Sequence, residues 1–132
     1  MRFLGIDFGK RKIGLAYSEG LLPSPLSTIE VKTQKQALSE IHAICERLLI
    51  EKIIVGVSGG ILDKEVRIFG RILSAQTHIP VEFVDETLTS RQAVTKMVEG
   101  KTTKKKRREM EDAVAATLIL NSYLENSKNK RK

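Results

Sequence analysis

Two short apolar runs joined by three residues constrain this chain more than any other feature. RFLGIDF (residues 2–8) and KIGLAYS (residues 12–18) are strand-length, and Gly9, Lys10 and Arg11 form a short Gly-containing link that can close a hairpin. LLPSPL follows with two prolines, which break regular structure, so a third strand is expected over residues 26–31. The period then changes. Ala37, Ile41, Ile44 and Leu48 recur at helical spacing over residues 34–50, with Gln36, Glu40 and Arg47 turned outward. KIIVGV (52–57) is a buried strand ended by Ser58, Gly59 and Gly60, and a second helix is expected over 63–76, started by Asp63 and striped by Val66, Phe69 or Gly70, and Leu73. VEFVDE (81–86) is a fifth strand, and helices are expected at about 89–98 and 109–125. Three antiparallel strands followed by strands alternating with helices predict an α/β fold, a mixed five-stranded sheet flanked by helices.

A chain of 132 residues supports one core, expected over residues 1–125, with a basic, disordered tail at 126–132. The net charge of +7 suggests a polyanionic partner, nucleic acid before an anionic membrane. Cys45 is the single cysteine, so neither an internal disulfide nor a cysteine-based zinc site is available, and its helical pattern makes it a small core residue. With no signal-peptide pattern and no apolar stretch near the ~20 residues of a membrane span, a cytoplasmic protein without a membrane partner is expected.

Acids fall where such a fold does not need them. Asp7 lies within the first strand, sharing a face with Phe3, Gly5 and Gly9, while Leu4, Ile6 and Phe8 share the other. Burying an ionised carboxylate alone is costly, so Asp7 requires a cation, hydrogen-bond donors or solvent. A salt bridge to Lys12 or a cap on the hairpin turn would satisfy it structurally; the adjacent glycines leave room for a ligand. Asp85 and Glu86 close the fifth strand, at the carboxyl end where open α/β sheets bind ligands. Either could face a site: Asp85 alternates with Val81 and Phe83, and Glu86 with Glu82 and Val84. Asp112 heads the helical stripe 112, 115, 116, 119 and 123, whose alanines would let the helix approach the sheet closely. Glu109 and Glu111 can already complement the helix dipole, which leaves Asp112 for a directed role. Such carboxylates are hard oxygen ligands suited to Mg²⁺ or Mn²⁺, and two ions ~4 Å apart can promote phosphodiester hydrolysis. His42 and His78 read as surface or structural residues.

With these residues in place the chain resembles the YqgF family of Holliday-junction-resolvase-like proteins, also described as pre-16S rRNA nucleases. The resemblance rests on GIDFGKRKIGLAYS, IIVGV, VEFVDETLTSRQA and KKKRREMEDAVAATLILNSYL, which span nearly the whole chain. It implies a ribonuclease H-like fold and a Mg²⁺- or Mn²⁺-dependent nuclease whose acidic positions fall on Asp7, Glu86 and Asp112, with Asp85 in reserve. It further implies 5′-end processing of precursor 16S rRNA, association with the ribosome, and a monomer or weak homodimer. Two departures stand out. The family's Gly-Leu-Pro loop is replaced by Gly56-Val57-Ser58-Gly59-Gly60, and Thr87 stands where the family has Arg, which bears on substrate grip rather than on the metal.

Lys104, Lys105, Lys106, Arg107 and Arg108 are expected in a loop just before the Asp112 helix, where with Lys10, Arg11 and Lys12 they would hold a phosphate backbone. Scarce aromatics favour a duplex or structured backbone over unstacked bases, and the resemblance implies structured RNA as the partner, with branched DNA second. Three other readings compete: a junction resolvase in DNA recombination, a non-catalytic RNA- or ribosome-binding protein, and an actin- or sugar-kinase-like ATPase. The last needs two such domains.

Overall fold

The structure, a computed structural model, describes residues 1–85 and the helix at 104–130, with the side chains of 111–126 on that helix. Its elements are β1 (Phe3–Phe8), β2 (Lys12–Ser18), β3 (Ser24–Glu30), α1 (Gln34–Leu48), β4 (Lys52–Val57), α2 (Asp63–Thr77), β5 (Val81–Asp85) and α3 (Lys104–Lys130). One five-stranded sheet has the order β3-β2-β1-β4-β5. β1, β2 and β3 are antiparallel neighbours, whereas β1, β4 and β5 run parallel, as the strand and helix order predicted.

Alternation along the strands divides the core into two layers. Leu4 and Ile6 of β1, Ile13 and Leu15 of β2, and Ile53, Val55 and Val57 of β4 pack beneath α1 and α2. The helices answer with Ala37, Leu38, Ile41 and Cys45 from α1, and Val66, Phe69 and Leu73 from α2. On the other face Phe3, Ala16 and Ile54 meet Ala116, Ile119, Leu120 and Leu124 of α3. Burial raises the Cys45 thiol pKa to about 11, with the neighbouring Glu46 carboxylate adding to the effect, so Cys45 stays protonated as a core residue.

Several local expectations change. Pro25 lies inside β3 rather than ahead of it, which the edge position of that strand allows. Asp63 opens α2 without capping it: the N-cap is Leu62, and the Asp63 carboxylate instead accepts from the backbone N–H of Ser58 at 3.1 Å and Gly59 at 2.7 Å. It thereby pins the loop after β4. Thr33 and Gln36 form a capping box on α1, with Gln36 N–H donating to Thr33 Oγ1 at 3.0 Å. The basic run 104–108 forms the first residues of α3 rather than a loop before it. At the other end the helical backbone continues to Lys130, through most of the segment expected as a tail. The helix expected at 89–98 lies outside the described residues.

Candidate active site

Three parallel strands, β1, β4 and β5, bring their carboxyl ends, Phe8, Val57 and Asp85, to one end of the sheet. The chain leaves β1 toward β2 on one side and reaches β4 on the other only by way of α1, so the topology switches between β1 and β4. Such a switch point is where an open α/β sheet binds its ligand. Asp7 lies there, one residue before the end of β1, and is only 7% exposed.

The approach of α3 brings a second acid to Asp7. In the β1–β2 register Asp7 stands opposite Gly14. A Cβ on Gly14 would collide with the backbone carbonyl of Asp112, so the helix occupies the space a side chain would have taken. One turn on, a Cβ on Gly5 would lie 3.0 Å from the Ala116 carbonyl oxygen and 3.0 Å from Leu120 Cβ. Two glycines on neighbouring strands therefore form a shallow seat for α3, and Asp112 enters beside Asp7 because of it. Of the expected stripe, Ala116 and Ile119 face the sheet, but Ala115 packs with Val114 and Leu118 instead.

The far end of α3 is held differently. Lys52 Nζ donates to the Tyr123 hydroxyl at 2.7 Å and pairs with Glu82 Oε2 at 2.9 Å, and the Tyr123 ring lies 5.9 Å from that of Phe3. The hydrogen bond to Tyr123, then that to Glu82, raises the Lys52 pKa above its ordinary value, against the opposing effect of partial burial. The helix crosses the sheet diagonally, from Gly14 on β2, over Gly5 on β1, to Lys52 on β4.

Other acids are sorted by the same alternation. Val81 and Phe83 pack on the α1 and α2 side, whereas Val84 packs on the α3 side and Glu82 pairs with the Lys52 that holds Tyr123. Asp85 follows the parity of Phe83 and so falls on the face away from Asp7, which weakens its standing as the reserve ligand. Glu86 lies outside the described residues, as does Thr87. Among the described residues no group of three or more His, Cys, Asp or Glu comes together. Asp7 and Asp112 offer the hard oxygens a divalent cation takes, and a pair of protein carboxylates is the usual number for Mg²⁺.

The basic residues divide too. Lys10, Arg11 and Lys12 are all exposed. Lys12 shares the α3 face with Gly14 by alternation, but Lys10 lines a 290 Å³ pocket with Phe8, Ile13, Phe69 and Glu65 on the opposite side. Lys104 to Arg108 begin the helix that carries Asp112, and their side chains lie outside the described residues. His42 pairs with Glu46 at 3.1 Å, and His78, at φ 60°, caps α2. Sequence reasoning missed Gly14, although a glycine inside an apolar strand is itself a sign of close approach.

A family model for RuvX, described as Holliday junction resolvase, matches residues 1–126. The chain belongs to the RuvX family. This is the YqgF grouping that its motifs resemble. Two relatives, from Protochlamydia amoebophila and Syntrophomonas wolfei, each carry the name "Putative pre-16S rRNA nuclease". The first is 38% identical over 94% of this chain and 93% of its own length. The second is 35% identical over 95% and 94%. Among solved structures, the fowlpox virus resolvase with Holliday junction DNA superposes with a TM-score of 0.65 at 12% identity, covering 96% of this chain and 98% of that one. T. thermophilus RuvC in complex with a Holliday junction substrate gives 0.61 at 18% identity, covering 97% and 96%. These likenesses establish the ribonuclease H-like fold.

Proposed function

We propose that this RuvX-family chain is a Mg²⁺- or Mn²⁺-dependent endonuclease that processes the 5′ end of precursor 16S rRNA in the cytoplasm, in association with the ribosome. The observation that carries the reading is the seating of Asp112 on Gly14, directly across from Asp7, at the switch point of the sheet. The rRNA substrate comes from the names of the relatives. A cytoplasmic location is consistent with the described residues, where no helix is long and apolar enough to cross a membrane.

Asp7 and Asp112 would hold the metal, with Glu86 as the third carboxylate. Glu86 is preferred to Asp85 because the family resemblance puts an acid at that position and Asp85 shares the parity of Phe83, on the face away from Asp7. A divalent cation there would supply Lewis acidity for hydrolysis of the phosphodiester. The protein's own contribution is placement. Asp7 is held by its pairing with Gly14 on β2, one residue past the end of the β1–β4 register at Ile6, and Asp112 by the glycine seat, so neither depends on a loop. The basic start of α3 and Lys12 on the same face would bring the phosphate backbone to these acids, giving affinity that falls with salt.

The deciding experiment compares cleavage of a precursor-rRNA 5′ segment with a four-way DNA junction, in Mn²⁺ and in EDTA, with Asp7→Asn alongside. Metal-dependent cutting of the RNA, lost in Asp7→Asn, is expected. Cutting of the junction alone moves the function to recombination. Salt-sensitive binding without cutting of either substrate would leave an RNA- or ribosome-binding protein.

A further inference from the structure

We infer that a pocket on the α1 and α2 side of the sheet binds a nucleobase, either an unpaired base of the nucleic acid held at Asp7 or that of a free nucleotide. As a subsite for the substrate it rests on the nuclease reading above. The pocket, of about 290 Å³, lies at the carboxyl end of β1. Its apolar walls come from Phe8 and Ile13, the last pair of the β1–β2 register, from Val31 just past β3, and from Ala37 on α1 and Phe69 on α2. The carboxyl ends of strands are where open α/β sheets take ligands, and the acids of the other face make no use of this pocket.

The lining suits a flat ring with a polar edge. Phe8 and Phe69 meet with ring centroids 5.0 Å apart and planes tilted by 50°, too close to admit a ligand between them, so they form one aromatic wall. Lys10, Gln34 and Glu65 complete the lining and are exposed, and among the described residues none of these three side chains has a hydrogen bond or an ion pair. Lys10 only donates, Glu65 only accepts, and Gln34 does both. A phosphate would meet apolar walls, and a purely apolar ligand would cover the three polar groups without giving them partners. A nucleobase offers a π-face to the wall and an edge carrying both donors and acceptors. At the low end of small-molecule sites, the volume fits one ring system and its sugar rather than a stack of bases. Two of the chain's four phenylalanines are gathered here, so it can receive one base although it lacks the aromatics for a run of them.

The end of β1 ties the pocket to the acids. Asp7 and Phe8 are consecutive, their Cα atoms about 3.8 Å apart, and they point to opposite faces of the sheet. A strand with one phosphate at Asp7 and its neighbours on the exposed Lys10 and Arg11 would turn over the end of β1 and bring a following base to the Phe8 wall. The backbone N–H of Val31 donates to the Arg11 carbonyl at 2.7 Å, which fastens the hairpin turn to the link between β3 and α1 and keeps the sides of the pocket together.

Fluorescence anisotropy of the full chain in EDTA, where metal-dependent cleavage cannot intervene, tests this with two probes. One is an RNA hairpin with a single-stranded 5′ extension; the other has abasic spacers throughout that extension, so that every phosphate is kept. Stacking of one base should favour the intact extension by about tenfold. Phe8→Leu, which keeps an apolar residue in the core, should cut this preference to under about twofold while affinity for the abasic probe stays unchanged. Gln34→Ala with Glu65→Ala, both at exposed positions, should lessen it without threatening the fold. A mixture of the four nucleoside monophosphates separates the sources: if the pocket serves free nucleotides, the mixture raises the Tm of the natural chain but not of Phe8→Leu, and the preference between probes is absent. No preference together with no rise in Tm overturns the inference, as does a preference that survives all the variants or an equal loss of both probe affinities in them. If the natural chain cuts nothing in Mn²⁺, the nuclease reading fails while the base preference still decides this one.

Discussion

The two faces of the sheet use opposite means of packing. Beneath α1 and α2 the strands present Leu4, Ile6, Ile13, Leu15, Ile53 and Val55, all fully buried, a thick aliphatic layer. Toward α3 they present Phe3, Gly5, Asp7, Gly14, Ala16 and Ile54, where the smallest side chains lie under the middle of the helix. Large side chains hold helices away from a sheet and bury much apolar area; small ones give up area to gain proximity. The first face supplies most of the stability. The second uses proximity to place Asp112 beside Asp7, with Tyr123 and Lys52 steadying the far end of the helix.

That contrast can be broken experimentally, and the largest expected effect is on the thick face. Ile53→Ala should lower unfolding free energy by about 2–5 kcal/mol in urea titrations. Cleavage per folded molecule should stay unchanged; loss of cleavage in the folded variant would mean that the faces are not independent. Gly14→Ala should cost less, about 1–3 kcal/mol, because α3 can lift. It should nevertheless abolish both cleavage and stabilisation by Mn²⁺, read as the loss of a metal-dependent rise in Tm. A Gly14→Ala protein that still gains stability from Mn²⁺ would disconnect the glycine seat from the acids. Thr33→Ala removes the capping box of α1, on the thick face, and should cost about 1 kcal/mol with cleavage intact.

The smallest effect belongs to Lys52→Met, under about 1 kcal/mol for a partly exposed pair. Its pH dependence has a definite sign. The folded-state pKa of Lys52 is raised, chiefly by Tyr123 and then by Glu82, so its stabilisation is fully present below the unfolded value of about 10.4 and is lost as pH rises through the folded value. Thermal melts of the two proteins should therefore differ by a constant amount near neutrality and converge in strong alkali.

Much of this was legible in the sequence, for reasons that also mark the failures. β2 and β4 stand where period and β-branching put them, and the hairpin turns where Gly9 allows it. α3 begins five residues before the expected 109 because a run of Lys and Arg shows no apolar period, although both residues are good helix formers. Pro25 misled because edge position is a property of the whole sheet. Asp63 misled because its carboxylate found two loop N–H groups before it could serve its own helix. Asp7 and Asp112 could be singled out as acids in unexpected places. Their meeting could not, since it depends on which residue of β2 lies across from Asp7, a matter of pairing between strands.

The order in which these parts leave the ribosome has a consequence for when activity can begin. All five strands are made by Asp85, so the sheet can collapse onto α1 and α2 while synthesis continues. Asp7 is then already in place, before Asp112 has been made. Its partner arrives only with α3, the last of the described elements, and comes into position only when that helix settles on Gly14. A nascent chain would thus be folded over most of its length before it could cut, and the ribosome making it would carry a nuclease that is still unarmed.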